Sequence, residues 1–371
     1  MGNCCGRMPA APAPGRGVAP VILQRWLRGH TVHLASHQSP VSDPPPQPAP
    51  CPVLDLAGAV QFVINGRSGR NDSDATRQAI EAALHASGRR ADFHVARPDT
   101  LARMARQATE AALAQHSAVV AVGGDGTINA VAQAAHDQGC AMGVVPQGTF
   151  NYFARTHGMP ADAGLATQAL LAARPVPVQV GLINDQVFLV NASLGLYPDL
   201  LQDREAFKAR FGRSRLVALA AAVATVLGRH RQLRLRIETR DGTQDVRTPT
   251  LFVGNNRLQL AQVGLAEASA IDQGQITAVV LRPIGTLALL GLMLRGALGT
   301  LGEAATVRSF QCQRLRVSPK RGWAGRRMKV AYDGEVGWLP TPLLFEVSAQ
   351  PLYLLKPGPD AAAGGLAPID P

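Results

Sequence analysis

Residues 118–130, AVVAVGGDGTINA, decide the fold. A short run of apolar, mostly β-branched residues, Val119, Val120 and Val122, ends abruptly in Gly123-Gly124-Asp125-Gly126-Thr127. The run does not alternate with polar residues, so it reads as a strand buried on both faces, as in a parallel sheet. The apolar spacing from Ile128 to His136 then predicts a helix. Glycines between strand and helix let the backbone turn sharply and approach a ligand closely. Amide N–H groups at the helix start can hold phosphate oxygens there. Asp125 in such a turn is placed to hold a metal ion bound to those phosphates, and it equally suits plain N-capping.

Two further segments repeat the design. Gly143 to Arg155, GVVPQGTFNYFAR, is an apolar strand ending in a Pro and Gly turn; Gly148 and Thr149 offer backbone and hydroxyl contacts, and Asn151 can cap the next helix and bond a ligand. Phe62 to Arg70, FVINGRSGR, is a third strand, followed by Asn65, Ser68 and Gly69. Three polar, glycine-rich loops are thus expected on the carboxyl edge of one sheet, where open α/β sheets bind their ligands.

These segments resemble the diacylglycerol kinase catalytic family, which also contains bacterial lipid kinases and the sphingosine and ceramide kinases. NGRSG is similar to its NPxSG loop, GGDGTIN to its nucleotide loop, PQGTFNYFAR to PxGTxNxFAR, and Tyr332-Asp333-Gly334-Glu335 to its DGE motif. NASLGLYPDLLQDRE (191–205), VGNNRLQ (253–259) and LFEVSAQPLYLLKP (344–357) extend the likeness over roughly residues 60–357, in the family's order. Ordered agreement of this kind is far harder to reach by chance than any single motif.

The resemblance implies an ATP-dependent lipid kinase transferring the γ-phosphate to a lipid hydroxyl, on diacylglycerol or a related lipid, with Mg²⁺. It implies nucleotide contacts from Asn65, Ser68, Gly69, Gly123, Gly124, Asp125, Gly126, Thr127, Ile128, Asn129, Gly148, Thr149 and Asn151, with Asp125 on the metal. Glu335 is the implied general base, and Asp333 orients it or assists at metal and nucleotide. By itself Asp333-Gly334 is an ordinary turn between two strands. Three departures from the family pattern stand out. Ala130 replaces a glutamate found in many members, and Ala96 lies where a nucleotide-binding threonine ends the second strand. In Ile271-Asp272-Gln273-Gly274 an aspartate of a structural Mg²⁺ site is displaced by one residue.

The domain reading follows from changes of texture along the chain. Residues 1–58, rich in Pro, Ala and Gly, are expected to form a disordered tail, and 358–371 a flexible one. Met1-Gly2 with Cys4 and Cys5 hints at acylation, but Gly6 stands where myristoylation requires Ser or Thr. Helical spacing at Thr76 to Ser87 and Leu101 to Gln115, alternating with strands, predicts an α/β domain over 59–175 with a parallel sheet. Short strands separated by Asn, Asp and Gly turns predict an antiparallel β-sandwich over 176–342. The resemblance implies that nucleotide binds between the two, and that residues 343–357 return to the first domain.

A chain of 371 residues, 46% hydrophobic, can supply two cores. Its five cysteines have no disulfide-framework or zinc spacing. The net charge of +11 favours an anionic partner. No RNA-binding aromatic signature or helix-turn-helix accompanies it, so an acidic membrane surface is preferred over nucleic acid. Leu216 to Leu227 and Ile284 to Leu301 are too short or too interrupted for a span of about 20 apolar residues. The first is flanked by Arg204, Lys208, Arg210, Arg213, Arg215, Arg229 and Arg231, which suits either a core helix with solvated basic ends or one lying on anionic lipid. The expectation is a cytoplasmic protein peripheral to the inner face of the membrane, with room for a homodimer. The rival readings are an NAD-kinase-like enzyme with a soluble substrate and an inactive membrane-binding member of the fold.

Overall fold

A computed structural model gives the fold. It describes residues 50–55, 57–66, 70–202, 232–283, 304–320 and 327–357, with a few isolated positions between 285 and 300. The segment 204–231, with its basic flanks, and most of 284–301 lie outside the described residues. So do both terminal tails up to residue 49 and from residue 358.

The first lobe is built on strands β1 (Val60–Asn65), β2 (Ala91–Ala96), β3 (Val119–Gly123), β4 (Ala141–Pro146), β5 (Arg174–Val178) and β18 (Leu352–Lys356), in the order β2-β1-β3-β4-β18-β5. All neighbours are parallel except β5, which runs antiparallel to β18. β3 and β4 are buried along their whole length, which is why their sequences are continuously apolar. Helices cover both faces. In Leu101–Ala114 the buried residues Ala105, Ala108, Thr109 and Ala112 recur at helical spacing, so the apolar stripe faces the sheet. The nucleotide-loop helix, Asp125–Gln138, ends at Gly139, whose φ of 68° is the left-handed cap that glycine adopts without strain.

The second lobe pairs two antiparallel six-stranded sheets. One runs β10 (Gly242–Thr248), β9 (Leu233–Thr239), β14 (Arg314–Pro319), β17 (Leu343–Val347), β6 (Gly181–Ile183), β7 (Gln186–Phe188). The other runs β13 (Val307–Cys312), β12 (Ile276–Leu281), β11 (Thr250–Gly254), β8 (Asn191–Gly195), β15 (Arg327–Tyr332), β16 (Glu335–Pro340). Strict alternation fixes which face points inward. Leu235 and Ile237 of β9 and Leu315 and Val317 of β14 are buried, while Arg234, Arg236, Arg314 and Arg316 alternate with them. The inward residues form one cluster around Phe188, Leu194, Leu251 and Phe345.

The lobe boundaries differ from the sequence expectation in two places. β5 pairs with β18 in the first sheet, so the α/β lobe extends to Val178 rather than ending at 175. The expected returning segment 343–357 splits: β17 pairs with β14 and β6 in the sandwich, and only β18 returns, beside β4. Both are apolar strands, and strand pairing rather than composition separates them. Among the described residues no helix is long and apolar enough to cross a membrane.

Candidate active site

Four strand ends lie on one edge of the first sheet: Asn65 is paired with Ala96, and Gly123 with Pro146. Ala96, buried at the end of β2, occupies the position where the family's threonine is expected. The first loop continues into Ser68 and Gly69, which lie outside the described residues. Asn65 itself donates from Nδ2 to Thr127 Oγ1 at 3.2 Å, tying the end of β1 to the GGDGT turn.

The glycines of this edge are required by close packing rather than by backbone conformation, for none of Gly123, Gly124, Gly126 and Gly148 has a positive φ. A Cβ on Gly123 would lie 2.5 Å from Thr127 Oγ1, and one on Gly148 would lie 2.8 Å from the Cα of Gly124. The loops after β3 and β4 therefore touch backbone to backbone. Gly148→Ala should destabilise the fold by about 1–3 kcal/mol, because the Cα of Gly124 is main chain and cannot rotate away, and Asn151 Oδ1, 2.6 Å from the added Cβ, would be pushed off its bond to Gly148 N. Urea unfolding measures this directly, and an unchanged midpoint would show that the two loops can separate freely.

Asn151 completes the second loop. It adopts a left-handed conformation, with φ 48° and ψ 41°. Its Oδ1 accepts from Gly148 N at 2.9 Å, and its Nδ2 donates to Gly148 O at 2.7 Å. Both ends of the amide are thus engaged within the loop, and the expected side-chain cap on helix Tyr152–Thr156 is not made. Thr149 is exposed on the same loop.

Asp125 is the first residue of its 14-residue helix, where the positive end of the helix dipole favours a carboxylate. One oxygen, Oδ2, accepts from the backbone N–H of Asn151 at 3.2 Å. The other, Oδ1, is buried with no hydrogen-bond partner among the described residues. Burial pushes the Asp125 pKa up, against the lowering effect of the backbone N–H groups of Asn151, Tyr152 and Asp125 itself. A buried carboxylate oxygen that accepts no hydrogen bond fits a divalent cation, which would offset that desolvation.

Ile128 and Asn129 do not face this edge, contrary to the sequence expectation. Ile128 is fully buried in the core of the first lobe. Asn129 points toward the second lobe, donating to Val187 O at 2.9 Å and to Asp333 Oδ2 at 2.8 Å. The helical repeat explains this, since only part of each turn can face the ligand edge. Thr127 is also buried, leaving Asp125 and Gly126 as the more open positions of the first turn.

Asp333 and Glu335 come from the turn between β15 and β16. Tyr332 pairs with Glu335 across Asp333 (φ 46°) and Gly334 (φ 89°), the positive-φ pair of a tight hairpin turn. Asp333 is buried, and its carboxylate accepts from Leu189 N (2.6 Å), Val190 N (2.8 Å), Asn191 N (3.0 Å) and Asn129 Nδ2. Burial pushes its pKa up to about 6 against these donors. With four donors on its two oxygens, Asp333 ties the hairpin to the backbone of Leu189 to Asn191 and, through Asn129, to the first lobe. Glu335, exposed at the start of β16, reaches back over the GGDGT turn. Its Oε1 is 3.0 Å from where a Cβ on Gly126 would stand. Residues far apart in the chain thus meet at the start of one helix, and the bare Gly126 leaves room for the carboxylate.

A polar seam between the lobes was not assigned a role from sequence. Asn256 accepts from Thr156 Oγ1 at 3.1 Å and caps helix Arg257–Gln262, while Gln179 Nε2 donates to Asn255 Oδ1 at 2.6 Å. Asn191 Nδ2 donates to Gln259 Oε1 at 3.1 Å. The signal in the sequence is the Asn255-Asn256 pair directly after an apolar strand, since buried amides must find partners. Asp272 forms an ion pair with Arg257 at 2.8 Å. Among the described residues no cluster of three or more His, Cys, Asp or Glu is arranged to hold a metal ion.

His157, at the end of the Tyr152–Thr156 helix, packs edge-on against Phe153 with ring centroids 4.6 Å apart. Burial, with the charge of Lys356 second, pushes its pKa down to about 4 from 6.5. The folded chain therefore binds this proton more weakly than the unfolded chain, so the group's contribution is complete above pH 6.5 and is lost as pH falls toward 4. His157→Phe should flatten the stability profile in that window, read as urea midpoints at pH 7 and 5. An unchanged slope would mean that His157 is already solvated.

Residues 59–183 match the model of the diacylglycerol kinase catalytic domain. Over that stretch the chain is similar to the family. Relatives named probable lipid kinase YegS-like include one from Klebsiella pneumoniae (strain 342), 40% identical over 21% of this chain and 27% of its own length. Another, from Pseudomonas aeruginosa PAO1, is 29% identical over 74% of this chain and 87% of its own length. A protein named diacylglycerol kinase from Bacillus subtilis (strain 168) is 38% identical over 26% of this chain and 33% of its own length. The chain spans only 27% and 32% of the length of the Klebsiella and Cronobacter sakazakii relatives it matches. The crystal structure of a diacylglycerol kinase from Bacillus anthracis str. Sterne shares the fold, with a TM-score of 0.60 at 18% identity, covering 82% of this chain and 98% of that one.

Proposed function

We propose that this chain is a lipid kinase of the diacylglycerol kinase catalytic family and transfers the γ-phosphate of ATP to a lipid hydroxyl. The observation that carries the reading is the meeting of Glu335 with the start of helix Asp125–Gln138, at Gly126. A phosphoryl transfer needs phosphate positioning, charge neutralisation and a group to take the hydroxyl proton. The N-terminal amides of that helix and the touching Gly124 and Gly148 loops suit the phosphates. Asp125, with its unpartnered Oδ1, would hold Mg²⁺. When bound, that ion supplies neutralisation of phosphate charge. Glu335 takes the proton of the acceptor hydroxyl as its oxygen bonds to the γ-phosphorus, and ADP departs with the electrons of the broken bond. Asp333 acts through position: its four hydrogen bonds hold the hairpin that presents Glu335.

The acceptor is read as a lipid because the relatives over most of the chain's length are named lipid kinases. The formal charge of +11 suits work at an anionic membrane surface. Incubation with γ-labelled ATP and diacylglycerol, monoacylglycerol, ceramide or sphingosine, each in anionic vesicles, against NAD as soluble acceptor, tests both. Label in a lipid phosphate, with a rate that falls as salt rises, is expected. Label transferred to NAD alone would replace the lipid reading with a soluble-substrate kinase.

A further inference from the structure

A cavity of about 490 Å³ opens on the first lobe at the opposite edge of the sheet from Asp125 and Glu335. Its walls come from the beginnings of strands, Val60 of β1 and Ala118 and Val120 before and within β3, with Leu54 and Leu170 beside them. Asn65 and Gly123, which carry the candidate active site, end those same strands. The two sites are therefore about a strand's length apart, roughly 15–20 Å. The volume lies within the range of about 300–1,000 Å³ usual for small-molecule sites.

Three features give the cavity a chemistry. Its walls are predominantly apolar, and the charged residues lining it are Arg89 and Arg174, with no acidic residue among the described ones. Ser117 lines it with only 3% of its surface exposed, and its Oγ is buried without a hydrogen-bond partner. Arg89 Nε is likewise buried without a partner. Arg89 follows the end of helix Arg70–Ser87, where a cation that merely complements the helix dipole stays solvated. A guanidinium N–H withdrawn from water and left empty is costly unless something accepts from it. Water fills such positions where several polar partners converge; here two donors without partners line a predominantly apolar chamber.

We propose that this cavity binds a single-chain amphiphile, its alkyl chain along the apolar walls and its anionic head, a carboxylate or a phosphate monoester, on Arg89 and the Ser117 hydroxyl. Planar guanidinium donors match both head groups. The site is separate from the one that would phosphorylate a lipid, and its occupancy needs no turnover. Failure of the kinase reading would leave it untouched.

The test is equilibrium binding of radiolabelled palmitate and of hexadecyl phosphate to the full chain, below their micellar concentrations, with hexadecanol as the uncharged control. Saturable binding of one molecule per chain is expected for at least one of the two anions, with the tighter anion identifying the head group and hexadecanol weaker. Arg89→Gln should weaken binding about tenfold or more, as loss of a charged hydrogen bond does. Ser117→Ala should weaken it a few-fold, at an unchanged melting temperature and unchanged turnover of ATP. Absence of saturable binding, or affinity indifferent to both substitutions, would overturn the assignment.

Discussion

Asp125→Asn is expected to lower turnover by about two to three orders of magnitude, the scale on which removing a preorganised electrostatic group acts, while leaving the fold in place. Asparagine keeps the size of the side chain and can still present an oxygen to the backbone N–H of Asn151, which now bonds Oδ2 at 3.2 Å. It replaces the other oxygen, the buried and unpartnered Oδ1, with an NH₂ group that repels a cation. The two effects separate cleanly. Thermal unfolding should move little, because removing a desolvated charge offsets what the helix N-terminus loses. The Mg²⁺ concentration giving half-maximal rate should rise together with the fall in kcat. Full activity at the parental Mg²⁺ requirement would sink the assignment of Asp125 to the metal.

How much of this site could be read beforehand depends on whether the information is local. The strand-glycine-helix grammar of Val119 to Asn129 and of Gly143 to Arg155 is local, and it correctly puts those loops on the carboxyl edge of a parallel sheet. The facing of single residues is not. A motif string marks Ile128 and Asn129 alike as ligand contacts, but the helical repeat turns one into the core and the other toward Asp333. Glycine at 124 and 148 suggests room for a ligand, yet a side chain on Gly124 would first meet Gly148, and one on Gly148 would meet both Asn151 of its own loop and Gly124. β17 and β18 are similar in composition, and which sheet each joins is decided by partners drawn from distant parts of the chain. The buried amides of Asn129, Asn191, Asn255 and Asn256 have no role legible in isolation. They become intelligible once each is seen to satisfy a backbone or side-chain group distant in sequence, across the lobe junction for Asn129 and Asn256 and within the second lobe for Asn191 and Asn255.

Glu335→Gln is the substitution that bears most directly on the proposed chemistry. A general base contributes typically 10²–10⁴-fold to rate, so kcat should fall by about that factor. Glutamine preserves the length of the side chain and its fit over Gly126, where Oε1 lies 3.0 Å from the position of a Cβ. Nucleotide affinity and the melting temperature should therefore stay close to parental, as exposed substitutions usually shift stability by no more than about 0.5 kcal/mol. Asp333→Asn supplies the contrast. Its carboxylate accepts four hydrogen bonds at the lobe junction, so an amide there leaves at least one buried N–H group facing another donor. That variant should lose stability as well as activity, and its residual kcat should partly recover under conditions that stabilise the fold, which Glu335→Gln should not. Loss of rate without loss of stability at Glu335, beside loss of both at Asp333, distinguishes a proton acceptor from the residue that positions it. A near-normal kcat in Glu335→Gln would remove the carboxylate from the reaction and leave Asp333-Gly334-Glu335 as a structural hairpin.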